Sequence, residues 1–118
     1  MEGKVGKYAE FIDFRQKLNK KILEQGNLEI KRFFALDGQV YQTGALNNHT
    51  KELLGLVASM VLRCDDCIAY HLIQARDAGA SRAEIFETFS IALLVGGSIV
   101  IPHLRRAVDF LEEMETHS

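Results

Sequence analysis

The residues of this chain best suited to chemistry lie close together near its middle. Cys64 and Cys67 are the only two cysteines and form a C-x-x-C pair, and His71 follows Cys67 by four residues. On a helix, four residues make about one turn, so Cys67 and His71 would share a face. A helix N-terminus and a neighbouring imidazolium both favour the thiolate, the nucleophilic form of cysteine. The stretch 64–71 therefore predicts thiol chemistry.

The same residues also allow other roles. In a redox site, one cysteine attacks an oxidised substrate such as a hydroperoxide or a disulfide, and the other closes an intramolecular disulfide. In a zinc site, Cys64, Cys67 and His71 would supply only part of a tetrahedral ligand set. The pair could also be structural. Asp65 and Asp66 stand between the thiols, and their negative charges oppose thiolate formation. The residues alone leave redox, metal-binding and structural roles open.

Helices are the elements expected to position this motif. Apolar residues recur at helical spacing along most of the chain, and no hairpin signal with alternating flanks occurs. The predicted helices span residues 8–25, 28–36, 49–62, from the motif to 78, 82–95 and 98–114, with an irregular connector at 37–48. The predicted N-caps are Asn27, Asn47 or Asn48, Asp65 or Asp66, and Ser81, the last within a capping box with Glu84. The expected fold is an all-α, compact bundle of five to six helices in a single domain, residues 1–118.

The composition of the chain argues against some classes of function and predicts its location and assembly. The formal net charge is -2 and no basic block occurs, which argues against nucleic-acid binding. The longest apolar run is interrupted by Gly96, Gly97 and Ser98, so no membrane span is expected. Residues 1–4 lack the design of a signal peptide, and a cytoplasmic protein is expected. Several helices are apolar on more than one side, which in so short a chain predicts a homo-oligomer.

The combined pattern resembles a known family. Eleven residues separate Glu52 from Cys64-x-x-Cys67-x-x-x-His71. This arrangement is similar to the active-site pattern of the alkylhydroperoxidase D-like branch of the carboxymuconolactone decarboxylase superfamily. The similarity covers residues 50–98. Its further parts, in the family's order, are Lys51-Glu52-Leu53, Ala78-Gly79-Ala80-Ser81-x-x-Glu84-Ile85 and Gly96-Gly97.

The resemblance implies a fold and an activity. The fold would be an all-α bundle that assembles into a homotrimer or homohexamer. The activity would be that of a thiol-dependent peroxidase or disulfide reductase in antioxidant defence, without a bound cofactor or metal. By matching position, the attacking thiol would be Cys67, with Cys64 as its resolving partner. His71 would take the proton from Cys67, and Glu52 would orient His71 or extend the proton relay.

The resemblance also implies partners and leaves an alternative. A dithiol donor of the lipoyl or thioredoxin type would reduce the disulfide after each reaction with a hydroperoxide or disulfide substrate. The decarboxylating branch lacks this cysteine pair, so the cysteines argue against decarboxylation here. The alternative function is a metal-binding or non-catalytic redox-sensing oligomeric protein that uses the same cysteines.

The helix register raises one geometric question. If the two helices around residues 63–65 form an antiparallel hairpin, Glu52 and His71 are out of register by about six residues, roughly 9 Å. A large crossing angle or a bridging water would close that distance, or Glu52 would serve a neighbouring subunit. His103, beside Pro102, is a further candidate to line the site.

Overall fold

Helices form nearly all of the regular structure in the computed structural model, which describes residues 6–116. Within that range no strand occurs, so the prediction of an all-α fold with five to six helices is confirmed. The helices are α1 Lys7–Gln25, α2 Leu28–Val40, α3 Asn48–Leu62, α4 Asp65–Asp77, α5 Arg82–Gly96 and α6 Ile101–Thr116, with a 3₁₀ turn at Ser98–Val100. None of these helices is long and apolar enough to cross a membrane. Residues 1–4, on which the signal-peptide prediction rests, lie outside the described range.

Met1–Gln42 form one compact unit, which contains α1 and α2. Asn27 caps α2 as predicted, because its Oδ1 accepts a hydrogen bond from the backbone amide of Ile30 at 3.0 Å. The predicted end of this helix at residue 36 is wrong. α2 continues through Gly38 to Val40, since one glycine costs a helix only about 1 kcal/mol and its neighbours extend the backbone hydrogen bonds. The irregular connector is correspondingly shorter than predicted.

Thr43–Ser118 form the second compact unit, which contains α3 to α6. Within it, α3 packs against α4 and α5, and α4 packs against α6. All fully buried apolar side chains of the described chain lie here. The largest are Phe89, Leu56, Met60, Leu72, Ile85, Met114 and Val100. Each stabilises the fold by about 1.5–3 kcal/mol relative to an exposed position, so this unit supplies a rigid frame for the motif. The expectation of a single domain stays a prediction.

The ends of α5 follow the predicted signals. At its start, Ser81 Oγ accepts from the Glu84 amide at 3.1 Å, and Glu84 Oε1 accepts from the Ser81 amide at 2.8 Å. This capping box is confirmed. The hydrogen bond from the Ser81 amide, helped by the nearby His49, lowers the pKa of the Glu84 carboxyl. At the other end, Gly97 adopts a positive φ of 82°, a conformation that favours glycine.

Close packing at Gly96 and an early proline shape the start of α6. A Cβ at Gly96 would lie 2.5 Å from Val100 Cγ2, so only glycine fits there without a shift of that side chain. Pro102 is the second residue of α6, where its missing amide hydrogen breaks no helical bond. The prediction that Pro102 lies in the first turn or two is confirmed. This short connection determines where the first turn of α6 meets α4.

Candidate redox site

α3 carries Glu52 into the core. Asn47 Oδ1 accepts from the Thr50 amide at 2.8 Å, which confirms Asn47 as the N-cap and fixes where the helix begins. The buried residues of α3 then recur at helical spacing on one stripe. They are Glu52, Gly55, Leu56, Ser59 and Met60. Glu52 is thus the single carboxylate on the face of α3 that packs against its neighbours, and it is buried because of its position in that stripe.

A tight turn joins α3 to α4. Arg63 adopts a left-handed conformation with φ 62° and ψ 43°. Its amide donates to the Met60 carbonyl and the Cys64 amide donates to the Ser59 carbonyl, each at 3.0 Å. This pair of bonds is a Schellman motif in which arginine replaces the usual glycine. The turn reverses the chain within a few residues and places Cys64 at the start of the next helix.

Cys64, and not the predicted Asp65 or Asp66, caps α4. The Cys64 sulfur accepts from the Cys67 amide at 3.2 Å. The prediction of an aspartate cap is therefore wrong. The helix begins one residue earlier than an Asp65 cap requires and two earlier than an Asp66 cap requires, and a sulfur takes the place of the usual oxygen. Asp65 and Asp66 lie instead in the first turn, where the helix dipole favours negative charge.

Cys64 and Cys67 form a disulfide with their Cα atoms 5.3 Å apart. This separation is ordinary for a disulfide, so the C-x-x-C turn accepts the bond without rearrangement of the backbone. Cys67 is exposed, whereas Cys64 is partly covered. The site is therefore described in its oxidised form, with the second cysteine of the motif exposed.

Glu52 and His71 meet inside the same chain. Glu52 Oε1 lies 2.8 Å from His71 Nδ1, and the two side chains are only 4% and 11% exposed. The register offset of about six residues does not keep them apart, and a neighbouring subunit is not needed to bring Glu52 to His71. Because an ionised carboxylate only accepts hydrogen bonds, it selects the tautomer in which His71 Nδ1 donates. Nε2 is then the basic nitrogen of the ring.

His71 stands one turn after Cys67 on α4, as the spacing predicts. The buried residues of α4 form the stripe that packs on α3 and α6. They are Ile68, Ala69, His71, Leu72, Ile73 and Ala75. Cys67 lies at the exposed start of this helix and His71 at its buried centre. The helix therefore joins an exposed cysteine to a buried, carboxylate-held imidazole.

A second histidine approaches the motif from α6. His103 Nδ1 lies 2.7 Å from Asp65 Oδ1, and Arg106 Nη1 donates to Asp65 Oδ2 at 3.2 Å. His103 was a candidate to line the site, and the structure places it against the residue next to Cys64. Arg106 was missed. The sequence signal that could have found it is its position three residues after His103 on one helix face.

The described histidines all approach a carboxylate. In the third case, His49 Nε2 lies 3.1 Å from Glu84 Oε1, an ion-pair contact without hydrogen-bond geometry. Over residues 6–116, no group of three His, Cys, Asp or Glu side chains is placed to hold a metal ion. The alternative of a metal site built from the cysteines and His71 therefore has no geometric support.

Comparison with known proteins identifies the family. The model of the carboxymuconolactone decarboxylase family matches residues 30–110 of this chain. The chain belongs to the carboxymuconolactone decarboxylase family. The resemblance drawn from the motif is confirmed at this level, and the structure agrees with the alkylhydroperoxidase D-like branch. A relative from Paracoccus denitrificans, uncharacterized protein 4 in the cox locus, is 31% identical over 83 residues, which are 70% of this chain and 75% of that protein.

Solved structures of family members share the fold. A crystal structure of a Thermotoga maritima protein is 61% identical, with a TM-score of 0.88 over 92% of this chain and 95% of that one. A second crystal structure of the same Thermotoga maritima protein, a family protein with a suggested involvement in the antioxidative response, is 61% identical, with a TM-score of 0.86 over 91% of each chain. A family protein from Legionella pneumophila is 28% identical, with a TM-score of 0.79 over 91% of this chain and 96% of that one.

Proposed function

We propose that this protein is a thiol-dependent oxidoreductase that reduces hydroperoxides or disulfides through Cys64 and Cys67. The observation that carries the proposal is the disulfide at the start of α4, one turn before a histidine held by a buried carboxylate. Membership of the carboxymuconolactone decarboxylase family supports it. The involvement in the antioxidative response suggested for the Thermotoga maritima relative points to the same class of activity.

In the proposed peroxidase reaction, Cys67 is the attacking sulfur and Cys64 resolves. The exposure of Cys67 and the partial cover of Cys64 favour this order. The Cys67 thiolate bonds to the terminal peroxide oxygen, the O–O bond breaks, and the alcohol leaves after taking up a proton. Cys64 then attacks the sulfenic acid on Cys67, releasing water and forming the disulfide. The two thiols supply both electrons, so no bound cofactor is required.

His71 and Glu52 manage the proton in this scheme. His71 Nε2 takes the proton from the Cys67 thiol, which leaves an imidazolium beside the thiolate. The buried Glu52 carboxylate stabilises that imidazolium and fixes the ring orientation through Nδ1, 2.8 Å away. The same imidazolium can return the proton to the departing alkoxide. Glu52 is thus a positioning residue, and His71 is the general base.

A dithiol donor completes the cycle. A lipoyl- or thioredoxin-type protein would attack the Cys64–Cys67 disulfide through one thiol and close its own disulfide with the other. Electrons then pass from the donor to the pair, and both cysteines return to thiols. A cytoplasmic location provides such reduced donors and belongs to the same proposal.

A homotrimer or homohexamer is the proposed assembly. Several large apolar side chains of α3 and α5 are exposed in the single chain. They include Leu54, Leu62, Ile91, Leu94 and Val95. Because apolar side chains exposed in this number mark association sites when they lie together, burial against further copies is expected. Light scattering of the purified protein tests the assembly, and a monomer at micromolar concentration would contradict it.

Thiol titration after peroxide treatment tests the proposed activity. Reduced protein exposed to an organic hydroperoxide should lose two thiols per chain and recover both with a dithiol reductant. Peroxide consumption should then be compared among lipoyl-, thioredoxin- and glutathione-type donors. Unchanged thiols after treatment would overturn the proposed function.

Single cysteine variants test the order of the two sulfurs. Cys67→Ser should abolish peroxide consumption, because the attacking thiolate is lost. Cys64→Ser should still react once with peroxide and accumulate a sulfenic acid on Cys67, which dimedone traps and mass spectrometry locates. A dimedone adduct on Cys64 in the Cys67→Ser variant, formed at the wild-type rate, would reverse the assignment.

A further inference from the structure

Asp65 ties the first turn of α4 to α6. Its Oδ1 lies 2.7 Å from His103 Nδ1, and its Oδ2 accepts from Arg106 Nη1 at 3.2 Å. Both oxygens of one carboxylate therefore have a partner on the same helix. His103 and Arg106 are three residues apart, so they occupy one face of α6 and approach Asp65 together.

These contacts matter because Asp65 directly follows Cys64. A carboxylate beside a thiol disfavours its thiolate, since like charges repel. A guanidinium carries a fixed positive charge, so the contact of Arg106 offsets the charge of Asp65. The side chain of Asp66, next in the same turn, makes no hydrogen bond or ion pair within residues 6–116. The fold thus compensates one of the two aspartates of the motif selectively.

Two further arginines stand next to these residues in the sequence. Arg63 precedes Cys64 in the turn after α3, and Arg105 lies between the two Asp65 partners on α6. Arg105 is exposed, and its side chain makes no ion pair or hydrogen bond within the described residues. Arg105 and Arg106 therefore carry the same charge on neighbouring positions of one helix, but only Arg106 contacts Asp65. This difference provides a matched control.

We propose that His103 and Arg106 are positioning residues of the Cys64–Cys67 site that act through Asp65. They hold the first turn of α4 against α6 and offset a charge that opposes thiolate formation. Neither needs to touch a sulfur atom. The expected benefit, faster attack on substrate by the reduced cysteines, rests on the proposed function. The effect on the reactivity of the two thiols can be measured without it.

The pH profile of thiol alkylation tests this role. Reduced protein is treated with iodoacetamide between pH 5 and 10, and mass spectrometry follows the modified cysteines. Arg106→Gln should slow alkylation at pH 7 by about two- to fivefold, the effect of one uncompensated charge a few ångströms beyond contact in a water-like medium. His103→Ala should slow it by less, because it removes one hydrogen-bond partner of Asp65. Their profiles should move to higher pH. Asp65→Asn should move the profile to lower pH.

The double variants decide whether the effect passes through Asp65. In the Asp65→Asn background, His103→Ala and Arg106→Gln should slow alkylation clearly less than in the wild-type background, because the carboxylate that holds both side chains at the first turn of α4 is gone. Arg105→Gln in the wild-type background should have a smaller effect than Arg106→Gln. Equal slowing by His103→Ala with and without Asp65 would overturn the proposal, as would equal effects of Arg105→Gln and Arg106→Gln.

Arg106 keeps the test independent of folding. Its side chain is 59% exposed, so Arg106→Gln removes no core packing. If His103→Ala fails to fold, the comparison of Arg106→Gln with and without Asp65→Asn decides the proposal alone. Arg106→Lys keeps the charge and should restore most of the rate. No peroxide enters this assay. Thiols inert to peroxide would overturn the proposed function while leaving the profile interpretable, and unshifted profiles in an active peroxidase would overturn only this inference.

Discussion

Two histidine–carboxylate pairs flank the cysteines, and they differ in burial far more than in length. Glu52 Oε1 and His71 Nδ1 are 2.8 Å apart, while Asp65 Oδ1 and His103 Nδ1 are 2.7 Å apart. The first carboxylate is 4% exposed and the second 45% exposed. Near-identical contacts therefore lie in very different surroundings. The comparison indicates that surroundings, and not contact distance, decide what each pair does.

In the buried pair, water cannot replace a lost partner. Removing Glu52 would leave the ring nitrogen of His71 without its carboxylate in a low-dielectric interior, where an unmade hydrogen bond costs about 1–3 kcal/mol. In the exposed pair, water and salt compete with the contact and reduce its net value to about 0–1 kcal/mol. The buried pair is thus suited to fix one tautomer of His71. The exposed cluster of Asp65, His103 and Arg106 is suited to adjust charge.

The largest expected effect is on catalysis by the buried pair. Glu52→Gln keeps the shape of the side chain but removes the acceptor-only carboxylate, so the His71 tautomer is no longer selected. Peroxide consumption should fall by about 100-fold, within the range usual for loss of acid–base function. Ser59→Ala is the control on the same buried stripe of α3, where the hydroxyl donates to the Gly55 carbonyl at 2.7 Å. Equal losses in both variants would indicate general damage to the fold.

The next effect is on the free energy of unfolding. A double-mutant cycle on Glu52 and His71, measured by urea denaturation, should give a coupling free energy of about 1–3 kcal/mol. The corresponding cycle on Asp65 and Arg106 should give less than about 1 kcal/mol. Similar coupling free energies in the two cycles would contradict the proposed difference between the buried and the exposed pair.

The salt concentration tests the same difference between the exposed and the buried pair, with a smaller expected effect. Raising the NaCl concentration from 0.05 to 0.5 M should reduce the difference in alkylation rate between wild type and Arg106→Gln, because exposed charges are screened over about a Debye length. The loss caused by Glu52→Gln should stay constant, since its partner is buried. A salt-dependent Glu52→Gln effect would contradict the assignment of a water-excluded pair.

The smallest effect is expected at the third histidine–carboxylate contact, His49 with Glu84. The hydrogen bond from the Ser81 amide, and after it His49, lowers the pKa of Glu84 in the folded protein. The ionised Glu84 carboxylate therefore stabilises the fold fully above the unfolded carboxyl pKa of about 4.3. This stabilisation is lost as the pH falls through the lowered folded pKa. Glu84→Gln should therefore lower the melting temperature slightly at pH 7, and the difference from wild type should vanish in strong acid. A constant difference across pH would contradict this.

Local signals in the sequence were sufficient for most helix boundaries. Asn27, Asn47 and Ser81 cap helices where predicted because a side-chain acceptor near a helix start needs only its own neighbours. The early end predicted for α2 was wrong because one glycine, Gly38, costs too little to end a helix whose neighbouring residues continue it. The aspartate cap predicted for α4 was wrong because propensity ranks oxygen acceptors first, whereas here the Cys64 sulfur holds the position.

The cysteine motif, its histidine and the all-α fold were determined by the sequence alone, since they depend on spacings of one or two turns and on apolar periodicity. The family pattern added Glu52 as a candidate. Only the tertiary structure decided that Glu52 reaches His71 within one chain and that Asp65 is held by His103 and Arg106. These contacts join residues 19 to 41 positions apart. Helix crossing and the turns at Arg63 and Gly97 set such distances, and no local propensity encodes them.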